Sequence, residues 1–317
     1  MTARTLLVAL ALGAGTLTAC GDDAAIDRSG EQLAGIEVVV GSKEFAEQEL
    51  LASMFVQAFR AQGAEVTAAA ASGGTAATRA ALLDREIDAY VEYGTTAWFE
   101  PLGQTAEPPD DPEDLTAAVS ELDETNGVVW MGRSSFDNTY GFALGPELAD
   151  DERTDRYRVD GFDLDDLADL LADERDVLVC VAPEFRDRPD GLTRFEAATG
   201  FDVPADRLVT VADTVDVVDG LLTGRCDVGE VFTTSGLIAR HDLALVDDDG
   251  VFAAYHASLT MRADVHDEAP ETFREIAEDV LTPLTQRRMI ELNRRVAAGE
   301  PIDEVARDHL LRFGVVG

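Results

Sequence analysis

Lysine is nearly absent from this chain. Of the 25 basic residues among 317, Lys43 is the one lysine and the rest are arginines. Histidine (His241, His256, His266, His309) and cysteine (Cys20, Cys180, Cys226) are scarce too, and none lies at ligand spacing, so no metal centre is expected. Set against 63 acidic residues, the shortage of basic ones leaves a formal charge of -38, which argues against nucleic acid or an anionic membrane surface as a partner. After the N-terminus no segment is long and apolar enough to cross a bilayer. There is no Gly-x-Ser-x-Gly elbow, no His-Glu-x-x-His pair and no Walker loop, and nothing singles out a catalytic pair among the many carboxylates. Asp247-Asp248-Asp249-Gly250 lacks EF-hand spacing and reads as a turn. Neither an enzyme nor a bound cofactor is expected.

The N-terminus carries an export pattern. Arg4 precedes an apolar stretch over 6–12, followed by Leu17-Thr18-Ala19-Cys20, a match to the lipobox of bacterial lipoproteins. Residues 1–19 are expected to be a signal peptide, Cys20 the lipidated residue, and 20–35 a polar tether. The mature chain would then sit on the outer face of the cell membrane, held by its lipid anchor. Hydrophobic content of 46% is that of a globular protein, and the acids are spread along the chain as a solvated surface. Adaptation to high salt accounts for such charge, because salt screens self-repulsion; a field that steers cationic ligands is the alternative. In an exported protein Cys180 and Cys226 are expected to pair, with two buried free thiols as the other reading. A bridge there would contribute on the order of 4 kcal/mol.

After the tether, apolar runs alternate with helical patterns, indicating an α/β fold of two lobes. Strands are expected at 36–40, 87–93, 128–131, 140–144, 177–181, 208–211, 228–232 and 257–261. Helices are expected at 44–62, 75–84, 112–124, 164–172, 192–199 and 214–222, and through much of 270–313. In the first helix Leu51, Met54, Phe55 and Ala58 fall on one face, and Ser42 is the expected N-cap. One helix–strand unit occurs twice: aligning Asp88 with Asp227 sets Thr75 on Thr214, Tyr93 on Phe232 and Thr95 on Thr234. Each copy ends its strand on an aromatic residue. Ligands of open α/β sheets sit beyond the carboxyl ends of strands, so two facing lobes would present two rings across one cleft. Lys43 stands between the first strand and the first helix, a place where anionic groups are held; a chance survivor on a solvated surface is the plainer reading.

Seven motifs occur in a recognisable order: Gly-Ser-Lys-Glu-Phe-Ala-Glu-Gln (41–48), Gly-Gly-Thr (73–75), Glu-Ile-Asp-Ala-Tyr-Val-Glu-Tyr-Gly-Thr-Thr-Ala (86–97), Asn-Thr-Tyr (138–140), Glu-Phe-Arg-Asp-Arg-Pro-Asp-Gly (184–191), Glu-Val-Phe-Thr-Thr (230–234) and Tyr255. With these the chain resembles the substrate-binding lipoproteins of osmoprotectant ABC importers, the glycine betaine/choline/carnitine type. The resemblance implies a type II-like periplasmic-binding-protein fold with hinge crossovers. It also implies an aromatic cage for a quaternary ammonium at Tyr93, Tyr140, Phe232 and Tyr255, and binding of the ligand's carboxylate by Lys43, Thr96 and Arg188. The physics suits that division, since ring faces attract a cation that has no N–H to donate, and a carboxylate wants fixed donors. Phe232 departs from the tyrosine usual in the family. Lobe one is expected at 36–138 plus 239–317 and lobe two at 139–238. The implied partners are a small quaternary amine, a membrane permease and its ATPase subunit, and the protein is expected to be a monomer. Competing readings are a binding protein for amino acids or polyamines and, more remotely, a secreted acidic hydrolase.

Overall fold

The computed structural model describes residues 30–149, 161–174 and 176–317. The expected signal peptide, Cys20 and the tether up to residue 29 lie outside the described residues. The first part runs β1 (Glu37–Val40), α1 (Ala46–Ala61), β2 (Glu65–Ala68), α2 (Thr75–Leu83), β3 (Ala89–Tyr93), α3 (Gly94–Phe99), α4 (Pro112–Glu124) and β4 (Val128–Met131). Then follow β5 (Tyr140–Leu144), α5 (Pro146–Ala149), α6 (Leu164–Asp173), β6 (Val179–Val181), α7 (Pro183–Asp187), α8 (Leu192–Thr199), β7 (Leu208–Thr210), α9 (Thr214–Thr223), β8 (Val228–Phe232), α10 (Gly236–His241) and β9 (Ala244–Leu245). The chain ends with β10 (Ala257–Arg262), α11 (Ala263–His266), α12 (Pro270–Leu281), α13 (Gln286–Ala297) and α14 (Ile302–Phe313).

These strands form two five-stranded sheets, ordered β2-β1-β3-β10-β4 and β7-β6-β8-β5-β9. In each, three parallel strands meet a strand of opposite direction, β10 against β3 and β5 against β8. Side-chain alternation sets what each face does. In β3, Ala89, Val91 and Tyr93 join the main core with α1, while Tyr90 packs with Leu82 of α2 and Leu115 of α4. The apolar stripe of α1 is buried as its spacing requires, and Phe59 meets Phe273 of α12 edge-on at 5.4 Å.

The internal repeat is structural. The Asp88 carboxylate accepts the Val39 N–H at 2.8 Å, and the Asp227 carboxylate accepts the Leu178 N–H at 2.8 Å; the partner lies 49 residues back in both. Each aspartate thus ties the entry of its strand to the neighbouring parallel strand, in the same way in each lobe.

Three expectations change. Ser42 does not cap α1: the N-cap is Phe45, in extended conformation and without a side-chain bond. Residues 30–35, expected within the tether, form turns packed on the first lobe, where Leu33 is buried and its N–H donates to the Gln62 carbonyl at 2.8 Å. The return between sheets comes later than residue 239, because Ala244 and Leu245 pair with Leu144 and Ala143 in the second sheet. The outgoing and returning segments lie side by side between Leu245 and Ala257. The Asn138 N–H donates to the Tyr255 carbonyl at 3.1 Å, and the Thr139 hydroxyl to the Ala253 carbonyl at 2.7 Å.

Cys180 of β6 and Cys226 ahead of β8 are joined by a disulfide, with Cα atoms 5.7 Å apart. Gly220 of α9 makes room for it, since a Cβ there would lie 2.7 Å from one sulfur and 2.9 Å from the other.

Candidate ligand-binding site

Between the sheets lies a cavity of about 220 Å³, and all seven residues expected at the ligand line it: Lys43, Tyr93, Thr96, Tyr140, Arg188, Phe232 and Tyr255. They come from separate elements. Lys43 is in the turn from β1 to α1, Tyr93 ends β3, and Thr96 is in α3, which follows without a break. Tyr140 begins β5 directly opposite Phe232, which ends β8. Arg188 is the C-cap of α7, and Tyr255 lies on the returning segment.

The rings form an ordered row. Tyr140 stacks on Phe232 with centroids 5.3 Å apart, Phe232 on Phe45 at 5.7 Å, and Phe45 on Tyr93 at 6.4 Å, all within 22° of parallel. Tyr255 meets Tyr140 edge-on at 5.5 Å. Phe45 joins the rings of the two lobes, though it is absent from the expected set. Its only signal was its place two residues after Lys43, and the extended N-cap conformation turns that place into cavity wall.

The two cations are already engaged within the chain. Lys43 is 4% exposed; its ammonium donates to Glu92 Oε1 at 2.6 Å and Thr75 Oγ1 at 3.1 Å. Arg188 is 5% exposed and grips Asp190 with two bonds, Nε to Oδ1 at 2.8 Å and a terminal nitrogen to Oδ2 at 2.5 Å. Tyr255 also donates to Asp190. Lysine carries three donors and arginine five, so each keeps N–H groups beyond these bonds. Glu92 and Asp190, absent from the expected set, hold the two cations in place.

Behind the row lies a third buried carboxylate. Glu47 of α1 is fully enclosed and accepts from the Tyr93 hydroxyl at 2.7 Å, the Thr234 hydroxyl at 2.6 Å and the Asn293 amide at 2.7 Å. Burial raises its pKa, and these donors oppose the rise. Burial and then Glu47 push the Tyr93 hydroxyl well up, so Tyr93 stays neutral and a donor.

Four further acids line the cavity. Glu44, Glu184 and Asp213 are exposed, while Glu230 is buried. Burial pushes the Glu230 carboxyl up to about 8, with Glu184 and Asp213 adding to the rise. Gly74 lies close to Glu184 across the cavity: a Cβ there would be 2.9 Å from Oε1. Among the described residues no group of three His, Cys, Asp or Glu side chains could hold a metal ion, and no helix is long and apolar enough to cross a membrane.

A family model described as the substrate binding domain of ABC-type glycine betaine transport system, OpuAC, matches residues 36–311. The chain belongs to this family. It is the extracytoplasmic solute-binding component of an osmoprotectant ABC importer, not an enzyme. Among relatives, a glycine-betaine-binding protein of Pseudomonas aeruginosa is 29% identical over 294 residues, covering 88% of this chain and 90% of that protein. The glycine betaine-binding protein YehZ of Escherichia coli is 26% identical over 284 residues, covering 87% of this chain and 90% of that one. Its apo structure is similar with a TM-score of 0.65 at 25% identity, covering 88% of this chain and 99% of the chain in that structure. The ergothioneine transport permease/ergothioneine binding protein EgtU of Helicobacter pylori is 25% identical over 281 residues, covering 88% of this chain but 48% of that protein.

Proposed function

We propose that the cavity captures a quaternary-ammonium osmoprotectant such as glycine betaine or choline. The observation that carries this reading is the row of rings on one cavity that also holds two buried cations. Tyr93, Tyr140, Phe232 and Tyr255 face the ammonium, with Phe45 as a fifth ring. Each desolvated face is worth up to about 2 kcal/mol. The remaining N–H groups of Lys43 and Arg188, with the Thr96 hydroxyl, meet the ligand's carboxylate where it has one. Lobe one, built on the first sheet, and lobe two, on the second, close on the ligand by a hinge at the paired crossing segments. The ligand stabilises the closed form only by binding it better than the open one.

The same reading makes residues 1–19 a signal peptide and Cys20 the lipid anchor on the outer membrane face, with the protein acting as a monomer. The loaded form docks on a permease and its ATPase subunit. Calorimetric titration of the chain from Gly21 with glycine betaine, proline betaine, choline, carnitine and a polyamine tests it. Binding of a betaine or choline supports the cage. Binding of the polyamine alone would favour the reading in which Glu44, Glu184, Asp213 and Glu230 recognise a multivalent amine.

A further inference from the structure

Glu230 is a cavity residue for which neither the cage nor the carboxylate site has a use. It sits two residues before Phe232 on β8, so both side chains leave the same face of the sheet. The register pairs Phe232 with Tyr140 and Glu230 with Phe142, one step deeper in the same face. The residue is among those lining the cavity and is 1% exposed, and Oε2 is itself buried with no hydrogen-bond partner, so a ligand reaches it by seating at the cavity wall. The carboxyl does accept the Ala182 N–H. A buried carboxyl oxygen left unpaired costs free energy, so an acid kept there offers an acceptor to whatever enters.

We propose that Glu230 is a specificity-determining residue whose free oxygen accepts the hydroxyl proton of a ligand held by the rings, so that the site prefers hydroxylated quaternary amines to their deoxy analogues. This rests on the cage reading and deepens it. A trimethylammonium group has no proton to give, so it gains nothing from Oε2 beyond charge. A hydroxyl two carbons away donates to the ionised carboxyl, and being both donor and acceptor it can also pair with the protonated one. The surroundings also keep Oε2 available. Glu184 of α7 and Asp213 ahead of α9 repel it, Arg188 is engaged by Asp190, and on the facing lobe Lys43 is engaged by Glu92 while Glu44 is exposed. Tyr140 of β5 adds a neutral hydroxyl, since burial holds its pKa far above neutrality.

The test titrates the soluble chain with choline and with ethyltrimethylammonium, which differ only in the hydroxyl, in the wild type and in Glu230→Leu. A buried hydrogen bond of this kind gives the wild type about a tenfold preference for choline. Glu230→Leu brings the two ligands to within about twofold of each other, by the same bond lost. Retained ethyltrimethylammonium binding shows that the variant is folded. Equal binding of the two by the wild type, or an unchanged preference in Glu230→Leu, overturns the role of Glu230 and leaves the cage standing. Failure of the folded wild type to bind either cation or glycine betaine overturns the cage and Glu230's role with it.

Discussion

The Lys43 ammonium donates to Glu92 Oε1 at 2.6 Å, and neither residue is more than 4% exposed. The lone lysine of the chain is therefore half of a buried ion pair as well as a cavity residue. Removing one partner of such a pair leaves an uncompensated charge. Lys43→Met is expected to destabilise the fold by about 3–5 kcal/mol, and Lys43→Met/Glu92→Leu to recover most of it. Urea unfolding checks both. A double variant no more stable than the single one would mean that the lysine acts through packing.

Tyr93 is held by Glu47 and stacked by Phe45. Tyr93→Ala is expected to weaken any quaternary amine by about 2 kcal/mol, some thirtyfold, and Phe45→Ala by less, since Phe45 is only half-buried. Glu47→Gln keeps the shape but removes the charge-assisted acceptor, so it should weaken binding without unfolding the chain. Titration with choline follows all three. Unchanged affinity in Tyr93→Ala would contradict the cage.

Cys180 and Cys226 close a loop with a sequence separation of 46. Reduction is expected to lower stability by about 4 kcal/mol on the chain-entropy account. Thermal unfolding with and without dithiothreitol reads this directly, and equal midpoints would show that the bridge adds nothing to stability.

Stability should fall at both ends of the pH range, for opposite reasons. Burial pushes the folded Glu230 carboxyl up to about 8, well above the 4.5 of a solvated glutamate. Stability from its protonated form is thus complete below 4.5 and is lost as pH rises through 8. His309 is lowered from 6.5 to about 4 by burial and then by Arg288 and Arg312. It favours the fold above pH 6.5 and loses that contribution as pH falls toward 4. In urea titrations across pH, Glu230→Gln should flatten the alkaline limb and His309→Leu the acid limb. A variant whose curve parallels the wild type would rule out its residue as the source.

Local pattern made much of the architecture legible. The spacing of Leu51, Met54, Phe55 and Ala58 marked α1, and the alignment of Asp88 with Asp227 marked a repeat that proved to be the same hydrogen bond made twice. The seven expected residues fall on one cavity because most sit at strand ends or in the short turns after them, where an alternating α/β chain places its ligands. Short elements were not legible. The two residues of β9 carry no period, and only their pairing with β5 shows that the second sheet takes in residues after 239. Ser42 resembles a cap because serine caps helices often, but a bend separates it from α1, whose N-cap is Phe45.

By itself, then, the sequence determined the alternation of strands and helices, the repeated unit, the aromatic residues at strand ends and the scarcity of lysine. Those depend on residue type and on neighbours a few positions away. Only the tertiary structure decided that Lys43 faces Glu92, that Arg188 is gripped by Asp190, that Glu47 ties Tyr93 to Thr234 and Asn293, and that Phe45 completes the row of rings. It alone left Glu230 Oε2 unpartnered. Which donor meets which carboxylate depends on distances across the fold, and in a chain with 63 acidic residues composition cannot choose among them.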